Sequence, residues 1–380
     1  MNQPPDQPTI PVFQPALGEP ELAAAKEALE MGWLGMGSYV GSFEDRVQQF
    51  LGGQRHVVAV STGHAALHLA FLLAGVTDGD EVITPAFNNV ADFQAILACG
   101  ARPVFCDIDN TTLCLDVEQA RGLISPQTKA IIAMDYGCGL ADHDRVQQLA
   151  DQHGLRVIHD AAHSFGSKTP GGPVGSFSDL CMFSFDPVKT ITCIDGGALV
   201  VRTEDEAERV REMRLIGMTQ RSSVMYEDKR AWTYDVRLPG FRYHMANLHA
   251  AIGLAQLGRL DSIASSRREI YDLFREAFDA LPNVQAPQNL KAGGVPFLFY
   301  LRVPEDRRAD FRDHLTARGV DTGIHWQPGH RFTLFKDCRA GDLSVTERVS
   351  REIVTIPLHS FMSPTNRDRV IQAVRSFFDE

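Results

Sequence analysis

Between residues 56 and 160 the chain alternates short apolar runs with longer stretches whose apolar positions recur at helical spacing. The runs His56–Val60, Glu81–Thr84, Pro103–Ile108, Lys129–Met134 and Leu155–His159 predict strands. The intervening Gly63–Ala74, Val90–Ala98, Val117–Ile124 and Asp142–His153 predict helices. Such alternation builds right-handed βαβ units. It implies an α/β protein with a mostly parallel central sheet covered on both faces, a three-layer sandwich. Upstream, Pro20 opens a helix that runs to Glu30 and stops near Gly32. Ser42-Phe43-Glu44-Asp45 has the form of a capping box and predicts a second helix ending at Gly52. Downstream, two apolar runs flank the polar turn around Lys189, the second being Ala198–Val201. Glu204–Ile216 reads as an amphipathic helix. Asn247 opens a helical stretch to Ala280, broken near Ser262. A smaller α/β unit follows, with a strand over Phe297–Val303, a helix over Arg308–Arg318, and Gln372–Phe378 in a terminal helix.

At 380 residues the chain exceeds the usual size of one core. The expected division is a large domain with an N-terminal arm over 1–255 and a smaller C-terminal α/β domain over 256–380. A composition 44% hydrophobic and 22% charged suits a soluble globular protein, and a net charge of −11 argues against non-specific nucleic-acid binding. Seven cysteines without CxxC or metal-ligand spacing read as reduced thiols, which with the lack of a signal-like leader or membrane-length apolar run points to the cytoplasm.

In parallel sheets ligands bind beyond the carboxyl ends of the strands, and that rule selects residues. After the 56–60 run come Ser61-Thr62-Gly63-His64. A glycine at a helix start offers free amides and the positive end of a helix dipole to a phosphate, although many α/β proteins keep one there for turn geometry alone. After the 155–159 run comes Asp160-Ala161-Ala162-His163. A carboxylate at a buried strand end needs a cationic partner, for which a protonated pyridine nitrogen serves; Asp160 is equally suited to cap a helix. His163 could donate to a cofactor oxygen or satisfy a core hydrogen bond. Lys189 follows the next strand, where desolvation would lower its pKa and free its amine to attack a carbonyl. A phosphate cradle, an aspartate and a lysine match the phosphate, ring nitrogen and aldehyde of pyridoxal phosphate. Ser184, five positions before the lysine, could add a phosphate contact.

Taken together these segments resemble the DegT/DnrJ/EryC1/StrS family of sugar aminotransferases, within fold type I of the pyridoxal-phosphate enzymes. The similarity runs over nearly the whole chain: Gly32-Trp33-Leu34-Gly35 with Phe43-Glu44, Ser61-Thr62-Gly63, Gly79-Asp80-Glu81-Val82-Ile83, Asp160-Ala161-Ala162-His163, Phe183-Ser184-Phe185 with Lys189, Ala250-Ala251-Ile252-Gly253, and Ile356-Pro357-Leu358-His359. The resemblance implies that Lys189 is the Schiff-base lysine, that Asp160 pairs with the pyridine nitrogen and His163 with the ring hydroxyl, and that Gly63, His64 and Ser184 hold the phosphate. It implies a homodimer in which Arg242 of one subunit completes the neighbour's phosphate site. It also implies glutamate or glutamine as donor and a nucleotide-linked keto-deoxysugar as acceptor. His325, in Gly323-Ile324-His325-Trp326, matches the family's substrate loop, though a packed histidine fits equally.

The sequence departs from the family at Asn89, where an aromatic ring usually stacks on the cofactor; at His64, where threonine is common; at Arg242, where asparagine is common; and at Asp195, which replaces a glutamate. The expected consequence is an unusual substrate or a rearranged pocket, with Phe87 as a substitute stack under a shifted register. The stretch 218–242, carrying Arg221 and Lys229 among its cations, reads either as a solvated loop or as a wall of the neighbour's site that meets a substrate diphosphate. Other activities fit the same pattern: a sugar dehydratase using the amine form of the cofactor, against which Lys189 counts; a cyclitol aminotransferase; or a cofactor-binding regulator without turnover.

Overall fold

A computed structural model describes residues 8–219, 222–230 and 232–378. Seven strands form the central sheet: β1 (His56–Val60), β2 (Glu81–Pro85), β3 (Arg102–Cys106), β4 (Thr128–Met134), β5 (Arg156–Asp160), β6 (Leu180–Ser184) and β7 (Gly197–Val201). Their spatial order is β1-β7-β6-β5-β4-β2-β3. Every pairing from β6 through β5, β4 and β2 to β3 is parallel, whereas β7 runs antiparallel to both β6 and β1. The exception has a simple cause. The β6–β7 connection carries no crossover helix, so the chain can only turn back on itself.

The period of two along each strand builds the layers. In β1, Val58 and Val60 enter the core on one face while Val57 and Ala59 enter that on the other; Met182 and Phe183 divide likewise in β6. The first face is covered by α3 (Gly63–Leu73), α4 (Val90–Ala98), α5 (Val117–Leu123), α6 (His143–His153) and α7 (Glu204–Arg214). The second is covered by α2 (Ser38–Phe50) and α9 (Asn247–Gly258), and α1 (Glu19–Met31) packs on α9. With both faces buried, the strands read as nearly continuous apolar runs, which is why they were legible without alternation.

The long helical stretch breaks at Arg259, between α9 and α10 (Leu260–Phe278). Beyond it, β8 (Phe299–Arg302) and β9 (Ile353–Ile356) pair antiparallel, and α10, α11 (Arg308–Ala317) and α13 (Pro364–Phe378) enclose a separate core around Phe274, Phe299 and Phe311. Between α11 and β9 runs α12 (Ser344–Glu352). The N-terminal arm bridges to this unit through Ile10 and Val320. No described helix is long and apolar enough to cross a membrane.

The capping box at Ser42 is corrected. The helix begins at Ser38, with Gly37 at its N-cap, and Ser42 is exposed within it. Asp228 Oδ1 accepts from the Ser38 amide at 3.0 Å and Asn247 Oδ1 from the Tyr39 amide at 3.1 Å, so distant residues supply the cap. Glu44 points inward instead. It accepts from the Ala59 amide at 2.8 Å and from Arg214 Nη1 at 2.5 Å. Arg214 is wholly buried and also binds the Ala59 carbonyl, Ser222 and Tyr226. This ion pair ties α2, β1 and α7 to α8 (Ser222–Tyr226), so part of the 218–242 stretch is anchored rather than loose.

Candidate active site

The parallel strands place their carboxyl ends along one edge, and a cavity of about 680 Å³ opens there. Gly63, His64, Asn89, Asp160, His163, Ser184, Lys189 and His325 all line it. Arg242 and Lys229 do not. Arg242 is exposed, on a segment bridged to Leu215, and Lys229 is exposed with its Nζ 2.8 Å from Glu227. Arg221 lies outside the described residues.

At the end of β1, the Thr62 hydroxyl accepts from the Ala65 amide at 2.9 Å and caps α3. The first amides of α3, at Gly63 and His64, have no acceptor within the helix. Gly63 sits so close to β6 that a Cβ there would lie 2.8 Å from Ser184 Cβ and 2.9 Å from its Oγ. A Cβ on Gly197 would lie 2.4 Å from the Thr62 carbonyl oxygen. Both glycines are needed to bring this turn against the ends of β6 and β7. The His64 imidazole reaches the Ala91 carbonyl at 3.2 Å, linking the starts of α3 and α4.

Asn89 is the N-cap of α4, its Oδ1 accepting from Ala91 N at 2.9 Å. It lines the cavity at the position where a stacking ring was expected. Phe87 is no substitute: it is fully buried against Tyr136 and lies outside the cavity lining.

Asp160 is buried at the end of β5, and its Oδ1 accepts from the Ala162 amide at 2.9 Å. A turn follows, not a helix, so the capping reading does not hold. Burial pushes the carboxyl up to about 6, opposed by that amide and by the Lys189 charge. Behind it, Asp135 accepts from His159 at 2.7 Å, His143 at 2.8 Å and Ser164 at 2.6 Å. The Asp135 amide donates to the Asp160 carbonyl at 3.1 Å, which fixes the ends of β4 and β5 together.

His163 Nδ1 accepts from the Gly137 amide at 3.2 Å, so its hydrogen sits on Nε2. Its ring stacks on Phe297, centroids 4.2 Å apart, and burial holds its pKa well below the usual range. Lys189 Nζ lies 4.6 Å from the Phe297 ring centroid. Burial lowers the pKa of this amine, while the charges of Asp160, Asp186 and Asp92 resist the shift. Burial likewise takes the His325 imidazole down to about 4, and its Nδ1 lies 2.9 Å from Thr355 Oγ1.

Sequence reasoning overlooked several cavity residues. Phe13, Phe297 and Trp326 form an aromatic wall from three separate segments, with Phe13 stacked on Phe297 at 5.3 Å. No local pattern could have gathered them. Asp92 did leave a signal, as the one charged residue in the apolar helix Val90–Ala98.

These residues fit pyridoxal phosphate. The Gly63–Ser184 cradle excludes even a methyl group, the free amides of α3 suit a phosphate, and the cavity pairs one desolvated lysine with a buried carboxylate. Fold and site together define a pyridoxal-phosphate-dependent transferase of fold type I. The comparison with known sequences agrees, and residues 15–375 match one family over nearly their whole span. The chain belongs to the DegT/DnrJ/EryC1/StrS aminotransferase family. Among solved structures it is similar to the aminotransferase TlmJ from Streptoalloteichus hindustanus, at 33% identity over 97% of this chain and 98% of that one, with a TM-score of 0.89. It is similar to a putative sugar aminotransferase from Streptococcus pneumoniae in its PMP form, at 25% identity over 97% and 99%, TM-score 0.90. A third is the sugar aminotransferase CalS13 from Micromonospora echinospora, at 26% identity over 97% and 99%, TM-score 0.87.

Proposed function

We propose that this aminotransferase moves an amino group from glutamate or glutamine to the keto carbon of a nucleotide-linked deoxysugar, as a cytoplasmic homodimer with shared active sites. The cofactor would supply an aldehyde for imine exchange and a ring that takes up electron density. Asp160 would hold the ring nitrogen protonated, and the Nε2 hydrogen of His163 would meet the ring hydroxyl. The amides of Gly63 and His64, with the Ser184 hydroxyl, would bind the phosphate, and Asn89 would border the ring. Once free, the Lys189 amine would carry the proton between the carbon that bears nitrogen and the cofactor. His325 and Trp326 would border the sugar.

The observation that carries this reading is the placement of Lys189, half-buried, in one cavity with Asp160. A lysine there favours amino transfer over sugar dehydration. The sugar as acceptor draws support from two similar structures that are themselves described as sugar aminotransferases. Among the described residues, Lys189 is the only lysine or arginine lining the cavity, so the anionic groups of donor and nucleotide need cations from elsewhere. Arg242 of a neighbouring subunit is proposed to provide one. The Tyr243 carbonyl accepts from the Ser61 amide at 2.6 Å, which pins this segment beside the phosphate turn with the arginine exposed, free to enter a neighbour's site. Arg221 and Lys229 are proposed to meet the diphosphate in the same way.

A panel of nucleotide-linked keto sugars, incubated with glutamate or glutamine and assayed by mass spectrometry for the amino sugar, tests the proposal. The expected result is amine product from at least one member, abolished in Lys189→Ala. Amination of free cyclitol ketones alone, or loss of water without amination, would refute it.

A further inference from the structure

We infer that Asp92 is a positioning residue for the cofactor, a neutral carboxyl that donates its hydrogen to Asp160 and so keeps Asp160 ionised toward the pyridine nitrogen. The inference rests on the proposed pairing of Asp160 with that nitrogen.

Asp92 stands in the first turn of α4 and is fully buried. Its Oδ2 accepts from Asn88 Nδ2. No amide, hydroxyl or ammonium of the described residues reaches its Oδ1. The carboxyl of Asp160 lines the same cavity and its charge acts on Asp92, which makes it the partner for that unsatisfied oxygen. Two carboxyl groups form a hydrogen bond only if one of them carries a proton.

The surroundings decide which one. Asp160 receives the Ala162 amide and faces the Lys189 charge, both of which favour its ionised form; Asp135, behind it, opposes. Asp92 has one side-chain amide from Asn88 and otherwise feels burial and the Asp160 charge, with Lys189 as a weaker influence. The proton therefore rests on Asp92, whose carboxyl burial pushes well up, and the bond it donates draws Asp160 down against its own burial. A carboxyl shielded from water would otherwise be neutral near pH 7 and unable to hold a pyridinium.

The arrangement predicts opposite behaviour for two substitutions of similar size. Asp92→Asn keeps a donor toward Asp160, whereas Asp92→Leu removes it. Binding of pyridoxal phosphate to the cofactor-free protein, measured by absorbance at pH 7, should stay within about threefold of wild type for Asp92→Asn. For Asp92→Leu it should weaken by about tenfold for each unit that the Asp160 pKa rises, with the gap closing at alkaline pH. Infrared difference spectra of the cofactor-free protein provide a readout independent of the cofactor. A protonated-carboxyl band should be present in the wild type near pH 7.5, absent in Asp92→Asn and retained in Asp160→Asn. The inference is overturned if the wild type lacks that band, if the band disappears only with Asp160→Asn, or if Asp92→Leu binds as tightly as wild type. Should Asp92→Leu not fold, the infrared comparison alone decides. Unweakened binding by Asp160→Asn with the band intact would instead overturn the pyridine pairing and leave the carboxyl pair standing.

Discussion

Replacing Gly63 with alanine probes the phosphate cradle and the packing beneath it at once. The new Cβ would lie 2.8 Å from Ser184 Cβ, 2.9 Å from its Oγ and 3.2 Å from Met182 Cε. The methionine tip can swing away, but Ser184 is held in a strand bonded on both sides, so α3 or β6 must shift by several tenths of an ångström. Overpacking of this kind costs about 1–3 kcal/mol. The same shift would withdraw the α3 amides from the phosphate they are proposed to bind. Losing one hydrogen bond to a charged group, at about 1.5–3 kcal/mol, weakens cofactor binding by roughly 10- to 100-fold. The assay is urea unfolding of the cofactor-free protein together with absorbance titration with pyridoxal phosphate. The paired variant Gly63→Ala/Ser184→Gly separates the two effects: it should recover most of the stability but not the affinity, because the serine hydroxyl is gone. If Gly63→Ala matched wild type in both measurements, the close approach of α3 to β6 would be irrelevant to the phosphate and the cradle would lie elsewhere.

Two further predictions follow from buried charge. Arg214→Met should destabilise the fold by about 3–5 kcal/mol, because Glu44 is left charged and unpaired, and Glu44→Gln/Arg214→Met should recover much of that loss in a urea double-mutant cycle; equal losses in single and double variants would refute the pairing. Asp160 titrates near 6 in the cofactor-free fold, above the 3.8 of an ordinary aspartate, so between those values the folded chain keeps a proton that the unfolded chain has released. That contribution to stability is complete below about pH 4 and lost as pH rises through about 6, so Asp160→Asn should gain on wild type across this window, reaching roughly 3 kcal/mol; a constant difference from pH 4 to 8 would contradict it.

What the sequence made legible follows from how each feature is encoded. Doubly buried strand segments such as Ile131–Met134 and Leu180–Phe183 announce themselves because every position must be apolar. The turns bearing Gly63, Asp160 and Lys189 could be located because parallel strands bring their carboxyl ends to one edge. Hidden features depended on partners far along the chain. The α2 cap comes from Asp228, 190 residues from Ser38, so the local Ser42 signal misled. Phe87 versus Asn89 at the cavity was a question of which side chain caps α4, and Asn89 does so through a bond only two residues long. The aromatic wall of Phe13, Phe297 and Trp326 is assembled by tertiary packing alone. The long helix breaks at Arg259, close to the expected Ser262, and Arg259 Nη1 lies 2.8 Å from Glu21.

Borohydride reduction of the cofactor-loaded protein, followed by proteolysis and mass spectrometry, bears most directly on the lysine at the centre of the site. Reduction should fix the cofactor to Lys189 alone, and Lys189→Ala should bind pyridoxal phosphate yet yield no labelled peptide. A label on any other lysine, or a labelled Lys189→Ala protein, would contradict the assignment.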